Sequence, residues 1–301
     1  MVNMRRSVKI GALALGVLVI VLGAAAAGAV WLGERKMQRT VLIKVVPVPY
    51  ASGPAALKQG KYLFESRGCA ECHGATGAGR VFIDDPTGMY AKSPNITVGG
   101  SAAQYGEADW VRAIRHGVDP RGRPLLIMPS EDYNRLTDAD LASLVAYIRS
   151  LPSAPPAPAD VRFPTIVKAL YGIGVIPDAA QRINHSLPPS QPVAAAASVE
   201  HGKYVAQMCM GCHGERFSGG KIPGGPPNWP PAANLTPGEG TVMTRYDTPE
   251  KFAAMMRTGK RPDGSAVDKV MPFETLKAIN DTDLNATYVY LKTLAPRAMG
   301  K

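Results

Sequence analysis

The sequence predicts an all-α molecule: one N-terminal apolar helix, then two tandem copies of a small helical domain. Three observations predict it. The pentapeptide Cys69-Ala70-Glu71-Cys72-His73 returns as Cys209-Met210-Gly211-Cys212-His213, and the two use all four cysteines of the 301-residue chain. The surroundings of the pentapeptides also repeat. Gln59-Gly60-Lys61-Tyr62 matches His201-Gly202-Lys203-Tyr204, and Asn95-Ile96-Thr97 matches Asn234-Leu235-Thr236. Ile114-Arg115-His116-Gly117 matches Met256-Arg257-Thr258-Gly259, Met128-Pro129 matches Met271-Pro272, and Asp138-Ala139-Asp140-Leu141 matches Asp281-Thr282-Asp283-Leu284. From the first cysteine to the Met-Pro methionine is 59 residues in one copy (69 to 128) and 62 in the other (209 to 271); from methionine to helix leucine is 13 in both. The third observation is an uncharged run, Ile10–Gly33.

That run is longer than the roughly 7–15-residue core of a cleaved signal peptide and meets the roughly 20 residues that a bilayer requires. Residues 10–33 are therefore read as an uncleaved signal anchor, and residues 1–9, with Arg5, Arg6 and Lys9, as a cytoplasmic tail. Small residues from Ala24 to Ala29 make a cleaved signal the alternative. Residues 34–54 read as an extended stalk, with prolines at 47, 49 and 54. A first domain spans 55–152. A helical pattern from Ala55 carries Leu57, Tyr62, Leu63 and Phe64 into the first pentapeptide, and Glu107–His116 places Trp110, Val111 and Ile114 at helical spacing before the stop at Gly117. Thr137 is a helix N-cap with an acid at N3, followed by Leu141, Leu144, Val145 and Ile148 on one face. Residues 153–197 form a Pro/Ala-rich linker in which prolines at 155, 156, 158, 188, 189 and 192 forbid a continuous helix. Its apolar middle, Phe163–Ile176, is expected to pack on a domain. Residues 198–301 are the second domain. Two residues are missing between Tyr204 and Cys209 relative to Tyr62 and Cys69, so its first helix must reach the pentapeptide differently.

The net charge of +10 is unevenly placed: +7 on residues 1–59, −1 on 60–152, +1 on 153–197 and +3 on 198–301. Most of the excess flanks the apolar run, where basic residues meet anionic headgroups. Dispersed basic residues without a binding motif exclude nucleic acid as a partner.

C-x-x-C-H is the attachment signature of c-type haem. Two thiols two residues apart each form a thioether to one porphyrin, and the following histidine presents an imidazole to the iron. A zinc site or a redox disulfide is the alternative, but a four-cysteine zinc site does not need a histidine after each pair. Two pentapeptides predict two covalent haem c groups, on Cys69, Cys72 and His73 and on Cys209, Cys212 and His213. Thioether attachment takes place outside the cytoplasm, which puts the body of the chain on the periplasmic side.

The sixth ligand is sought among twelve methionines. Met37 lies in the stalk, Met208 and Met210 are too near Cys209 to reach the far face of that haem, Met255 and Met256 read as core, and Met89 and Met243 lie in loops. Met128 and Met271 hold equivalent positions before proline, which biases them toward extended backbone. They are the expected ligands. His116, His185 and His201 fall outside any ligand spacing and are read as surface or structural.

Each half resembles a class I cytochrome c: mostly helical, haem motif early, methionine late, then a terminal helix. From about residue 55 to 296 the chain resembles the membrane-anchored cytochrome c subunits of bacterial periplasmic dehydrogenases, of the quinoprotein alcohol dehydrogenase and molybdenum-flavin nicotinate or aldehyde types. Those subunits commonly carry three haem motifs and this chain has two. The resemblance implies a single-pass inner-membrane electron carrier that is not itself an enzyme. It would take electrons from a dehydrogenase catalytic subunit and pass them to a quinone, a soluble cytochrome or an oxidase. It also implies that the carbonyls of Pro94 and Ala233 accept from the ligand imidazoles. The rival function is a dihaem cytochrome c peroxidase, which needs an open or displaceable sixth position.

Overall fold

The computed structural model describes residues 2–226 and 228–301. Met1, part of the predicted cytoplasmic tail, lies outside the described residues, as does the side chain of Arg5. The chain is predominantly helical. Helix α1 (Val2–Met37) continues past the apolar run through Glu34, Arg35 and Lys36, good helix formers whose basic members suit a helix C-terminus. An extended segment without regular structure then leads to the first domain, with α2 (Pro54–Ser66), α3 (Cys69–His73), β1 (Val81–Asp84), β2 (Tyr90–Lys92), α4 (Glu107–His116), α5 (Ser130–Tyr133) and α6 (Asp138–Ser150). The region between the domains holds β3 (Asp160–Arg162), α7 (Thr165–Gly172) and α8 (Ala179–Arg182). The second domain holds α9 (Val199–Val205), a 3-10 turn (Ala206–Cys209), α10 (Met210–His213), a second 3-10 turn (Val242–Arg245), α11 (Pro249–Thr258), α12 (Phe273–Leu276) and α13 (Asp281–Thr293).

Both cores are built on the same crossing. In the first, α2 lies across α6 and buries Leu63 and Phe64 with Leu141, Leu144 and Ile148. In the second, α9 lies across α13, and Leu284 and Leu291 pack with Phe252 and Met256. These crossings account for the matched glycines. A Cβ on Gly60 would strike the Ser143 carbonyl, and one on Gly202 the Ala286 carbonyl, so each crossing is closer than a side chain permits. The Thr137 hydroxyl accepts from the Asp140 N–H (3.1 Å) and Asn280 Oδ1 from the Asp283 N–H (2.8 Å), capping the two terminal helices alike.

The sequence had shown no sheet, yet β1, β2 and β3 pair antiparallel in that order. Strand β2 pairs with β3 in the register Tyr90↔Arg162 and Lys92↔Asp160, so the inter-domain region begins as part of the first domain. Its apolar middle, expected to pack on a domain, lies chiefly along α1 through α7. Asp178 closes this arrangement, accepting two hydrogen bonds from Arg39 (2.6 and 2.9 Å) and one from the Tyr171 hydroxyl (2.5 Å). Burial pushes the Asp178 pKa up, but the Arg39 and Tyr171 bonds outweigh it and hold it below the ordinary carboxylate value.

The two domains meet through equivalent residues. The Tyr62 hydroxyl donates to Asp283 (2.6 Å) and the Tyr204 hydroxyl to Asp140 (2.5 Å), each reaching from one copy to the other. Glu71 accepts from the Thr275 N–H (3.0 Å) and hydroxyl (2.5 Å). At the matching place the Asp132 carboxylate lies against Gly211, where a Cβ would sit 2.7 Å from Oδ1. Residue pairs i–j and j–i across one contact are the mark of a two-fold interface, here between halves of one chain.

Candidate functional site

The two pentapeptides are reached by different routes. In the first copy α2 ends, Arg67 follows, and Gly68 takes a left-handed conformation (φ 81°) before α3. In the second the 3-10 turn runs straight into α10, with Cys209 in right-handed helical backbone. Arg67 and Gly68 thus account for the two extra residues of the first copy.

Beyond this point the copies share their principal hydrogen bonds. The Gly79 N–H donates to the His73 carbonyl and the Gly219 N–H to the His213 carbonyl, both at 2.9 Å. The His73 Nδ1 lies 3.1 Å from the Pro94 carbonyl and the His213 Nδ1 2.8 Å from the Ala233 carbonyl. Burial lowers the pKa of both imidazoles and the carbonyl bond works the other way, for a net lowering. Each is then a neutral ring that donates from Nδ1 and keeps Nε2 as an acceptor for a metal. The Asn-x-Thr segments hold these carbonyls in place. Asn95 Oδ1 accepts from the Thr97 N–H (2.8 Å) while its Nδ2 donates to Ala154 (2.9 Å) and Pro155 (3.0 Å). Asn234 does the same with Thr236 (2.9 Å) and Arg297 (2.8 Å). At Gly79 and Gly219, in the loops that follow the pentapeptides, the close neighbour is this carbonyl segment: a Cβ there would lie 2.6 Å from the Ser93 oxygen and 2.5 Å from the Ala233 oxygen.

A cavity of about 380 Å³ is lined by Cys69, Cys72, His73, Trp110 and Met128, within the range of small-molecule and cofactor sites. Met208, Cys212, Pro272 and Thr275 of the second copy also line it, so the two pentapeptides lie close together. The sequence had set Met208 aside and gave no sign of this. In the second copy Cys209 and Met271 pack against one core cluster. The Met-Pro turns share their backbone: the Ser130 N–H donates to the Met128 carbonyl and the Phe273 N–H to the Met271 carbonyl, both at 2.9 Å, with Pro129 and Pro272 at φ −80°. Met243, Met255 and Met256 are buried among the apolar side chains of the second core.

The residues fit haem. The cavity is largely apolar and four thiols stand in pairs. Trp110 Nε1 is buried with no hydrogen-bond partner among the described residues, a donor aimed at an acceptor the protein does not supply. A haem propionate would supply one. Its counterpart in the second copy is Phe252, which has no donor. Zinc and redox-cysteine chemistry fit less well. Burial pushes the Cys69 and Cys209 thiols up to about 12, away from the reactive thiolate. Among the described residues no three His, Cys, Asp or Glu side chains gather as a metal cluster. The leftover histidines bond to other protein groups. His201 Nε2 bonds Asp283 (2.7 Å) as Gln59 bonds Asp140 (2.9 Å), and His116 meets His185, Nδ1 to Nδ1, at 3.0 Å.

Comparison with known proteins agrees with this geometry. The family model described as cytochrome c matches twice, at residues 57–152 and 199–295. The fructose dehydrogenase cytochrome subunit of Gluconobacter japonicus is 34% identical over 137 residues, 42% of this chain and 28% of that protein. The cytochrome c subunit of the quinone alcohol dehydrogenase of Gluconobacter oxydans is 31% identical over 100 residues, 31% of this chain and 21% of that protein. A nicotinate dehydrogenase subunit of Pseudomonas putida is 32% identical over 117 residues, 36% of this chain and 10% of that protein. The match therefore spans less than a third of each relative's length. The chain belongs to the cytochrome c family, and its two cytochrome c domains imply covalently bound haem c.

Proposed function

We propose that this cytochrome c is a membrane-anchored dihaem electron-transfer subunit on the periplasmic face of the inner membrane. It accepts single electrons from a dehydrogenase and passes them to a quinone, a soluble cytochrome or an oxidase. Haem c supplies a one-electron iron couple. Cys69 and Cys72 hold one group and Cys209 and Cys212 the other, with His73 and His213 as fifth ligands and Met128 and Met271 as sixth. A thioether ligand raises the potential, and the Nδ1 bonds to Pro94 and Ala233 fix the ring planes.

The observation that carries this reading is the agreement of the two copies. Pentapeptide, imidazole–carbonyl bond, Asn-x-Thr brace and Met-Pro turn recur with the same hydrogen bonds. Two equivalent complete sets suit an electron carrier. A peroxidase needs one iron whose sixth position opens, and neither copy departs from the other at its Met-Pro turn, so that rival is not favoured. The proximity of the pentapeptides, with Cys212 on the wall of the first cavity, supports transfer between the haems within one chain. Purification from native membranes in mild detergent tests the partner. Dehydrogenase subunits should co-purify, the chain should carry the mass of two haems, and dehydrogenase substrate should reduce both. A chain isolated alone that no dehydrogenase reduces would contradict the proposal.

A further inference from the structure

Helix α7 lies against the C-terminal end of α1 more closely than side chains allow. A Cβ on Gly172 would sit 2.6 Å from the Gly33 nitrogen, and one on Gly33 2.9 Å from the Lys168 carbonyl carbon. Small residues that let two backbones meet are the packing mode of helices within membranes. Polar contacts lock the pair on its far side from the span. The Lys168 ammonium donates to Glu34 (2.9 Å), the Lys36 ammonium to the Tyr171 carbonyl (2.8 Å), and Arg39 to Asp178.

The level of this contact follows from length. The run Ile10–Gly33 makes about 36 Å of helix at 1.5 Å per residue, against a hydrocarbon core of about 30 Å. Ala29–Gly33, where α7 touches, therefore falls at the outer boundary between hydrocarbon and headgroups. The residues around the contact suit that boundary. Trp31 is exposed with the Arg35 guanidinium 4.8 Å above its ring, and tryptophan beside arginine or lysine is what such boundaries select. Around α7, Ile166 is 65% exposed, Ile173 59% and Val175 63%. Among the described large apolar residues after position 152, Met299 alone joins them in being more than half exposed. Scattered exposed apolar residues are ordinary, but a contiguous group is a surface with a partner.

We infer that α7 and the following turn, Ile166–Val175, form a second membrane contact, an interfacial segment that lies in the outer headgroup layer beside α1. The occupant of this apolar surface is lipid, because α7 packs directly on the end of the apolar span. The inference rests on the reading of α1 as a retained anchor. Its consequence is orientation. A single span leaves the haem domains free to swing, whereas α7 connects through β3 to the first domain's sheet and through Asp178 to Arg39. Together they fix how the first domain sits above the bilayer.

Site-directed spin labels on the full-length holoprotein, reduced and reconstituted in phosphatidylethanolamine–phosphatidylglycerol vesicles, test it. Labels are placed singly at Ile173→Cys, at Ile166→Cys as an independent probe, at Leu18→Cys inside α1 and at Val98→Cys on the first domain. The expected result is that the α7 labels collide severalfold more often with oxygen than with a water-soluble nickel chelate, as at Leu18, while the Val98 label shows the reverse. Chelate access at Ile166 and Ile173 equal to that at Val98, with Leu18 still deep, overturns the inference and leaves the anchor standing. Protection of the α7 labels from both reagents overturns it in favour of a protein partner. A Leu18 label open to the chelate overturns the anchor and this inference together.

Discussion

Arg67 exists in one copy of the repeat and has no counterpart in the other, and it is buried at the contact between them. Its guanidinium pairs with Asp283 of the second domain at 3.1 Å, beside the Tyr62 hydroxyl and His201. Removing one member of a buried pair leaves the other charge uncompensated, at about 3–5 kcal/mol. Because Asp283 keeps two other partners, Arg67→Leu should destabilise the protein by about 3 kcal/mol, near the low end of that range, measured by denaturant unfolding of the holoprotein. Burial raises the Asp283 pKa, but the Arg67 charge and the hydrogen bonds from Tyr62, His201 and Arg67 outweigh it, so the folded value lies below the ordinary 3.8. For a depressed acid the stabilisation is complete above the unfolded value and is lost as pH falls through the folded one. The stability gap between wild type and Asp283→Asn should therefore stay constant from neutral pH down to about 5 and close below 3.8. A gap that widens in acid would contradict the pairing. Trp110 makes a prediction of sign. If its buried Nε1 met nothing, Trp110→Phe would stabilise; paired with a haem carboxylate, the change should destabilise the holoprotein by about 1.5–3 kcal/mol, the worth of a hydrogen bond to a charged group.

At the scale of elements, the two helix crossings depend on Gly60 and Gly202. Alanine at either would place a methyl group against a carbonyl and 2.6 Å from the Tyr147 Cβ or 2.7 Å from the Tyr290 Cβ. Overpacking of this kind costs about 1–3 kcal/mol, so Gly60→Ala and Gly202→Ala should each lower the melting temperature of their own domain by a similar amount. The matched glycines were visible in the sequence; their reason was not, because it lies in the approach of helices some 80 residues apart. The same limit explains the rest. Helices α4 and α6 were legible from apolar spacing, Gly117 and the Thr137 cap, since all these signals are local. The three strands were not, since each has three or four residues and β3 joins its partner across about 70 residues of chain. Phe217 could not have been foreseen either. It stands where the first copy has Gly77 and adopts φ 58°, the one non-glycine residue with positive φ among those described. Its buried ring, edge-on to Tyr290 at 5.7 Å, holds a conformation that bulky residues ordinarily avoid.

For the whole molecule, the cysteines, histidines and methionines proposed to hold haem are legible in the sequence, because C-x-x-C-H and Met-Pro are short motifs and the repeat sets each beside its twin; the places of Trp110 and Met208 on the cavity wall are not. What the sequence could not show is that Cys212 of the second pentapeptide lines the cavity of the first, with Glu71 bonded across to Thr275 of the second copy. Retention of the anchor is a prediction at this scale. Cleavage within Ala24–Ala29 would strip part of the surface on which α7 packs, so mass spectrometry of the mature chain should find residues 1–33 present. A mature terminus anywhere from Ala25 to Glu34 would contradict it. The folded copies carry little net charge, −1 and +3, so long-range steering is modest. Electron transfer from the partner should vary weakly with salt, and a steep fall between low and physiological ionic strength would point to docking through a charged patch instead.

We propose that both irons are held by histidine and methionine, His73 with Met128 and His213 with Met271, so that the chain carries electrons and turns nothing over. The far-red sulfur-to-iron band of the ferric protein, recorded for wild type, Met128→Ala and Met271→Ala, tests it most directly. Wild type should show a band with the intensity of two haems, and each variant the intensity of one. Carbon monoxide should bind only the variant's opened ferrous iron. A wild-type band worth one haem or none, with a high-spin or bis-histidine centre and peroxide reduction at an enzymatic rate, would contradict the account and favour the peroxidase.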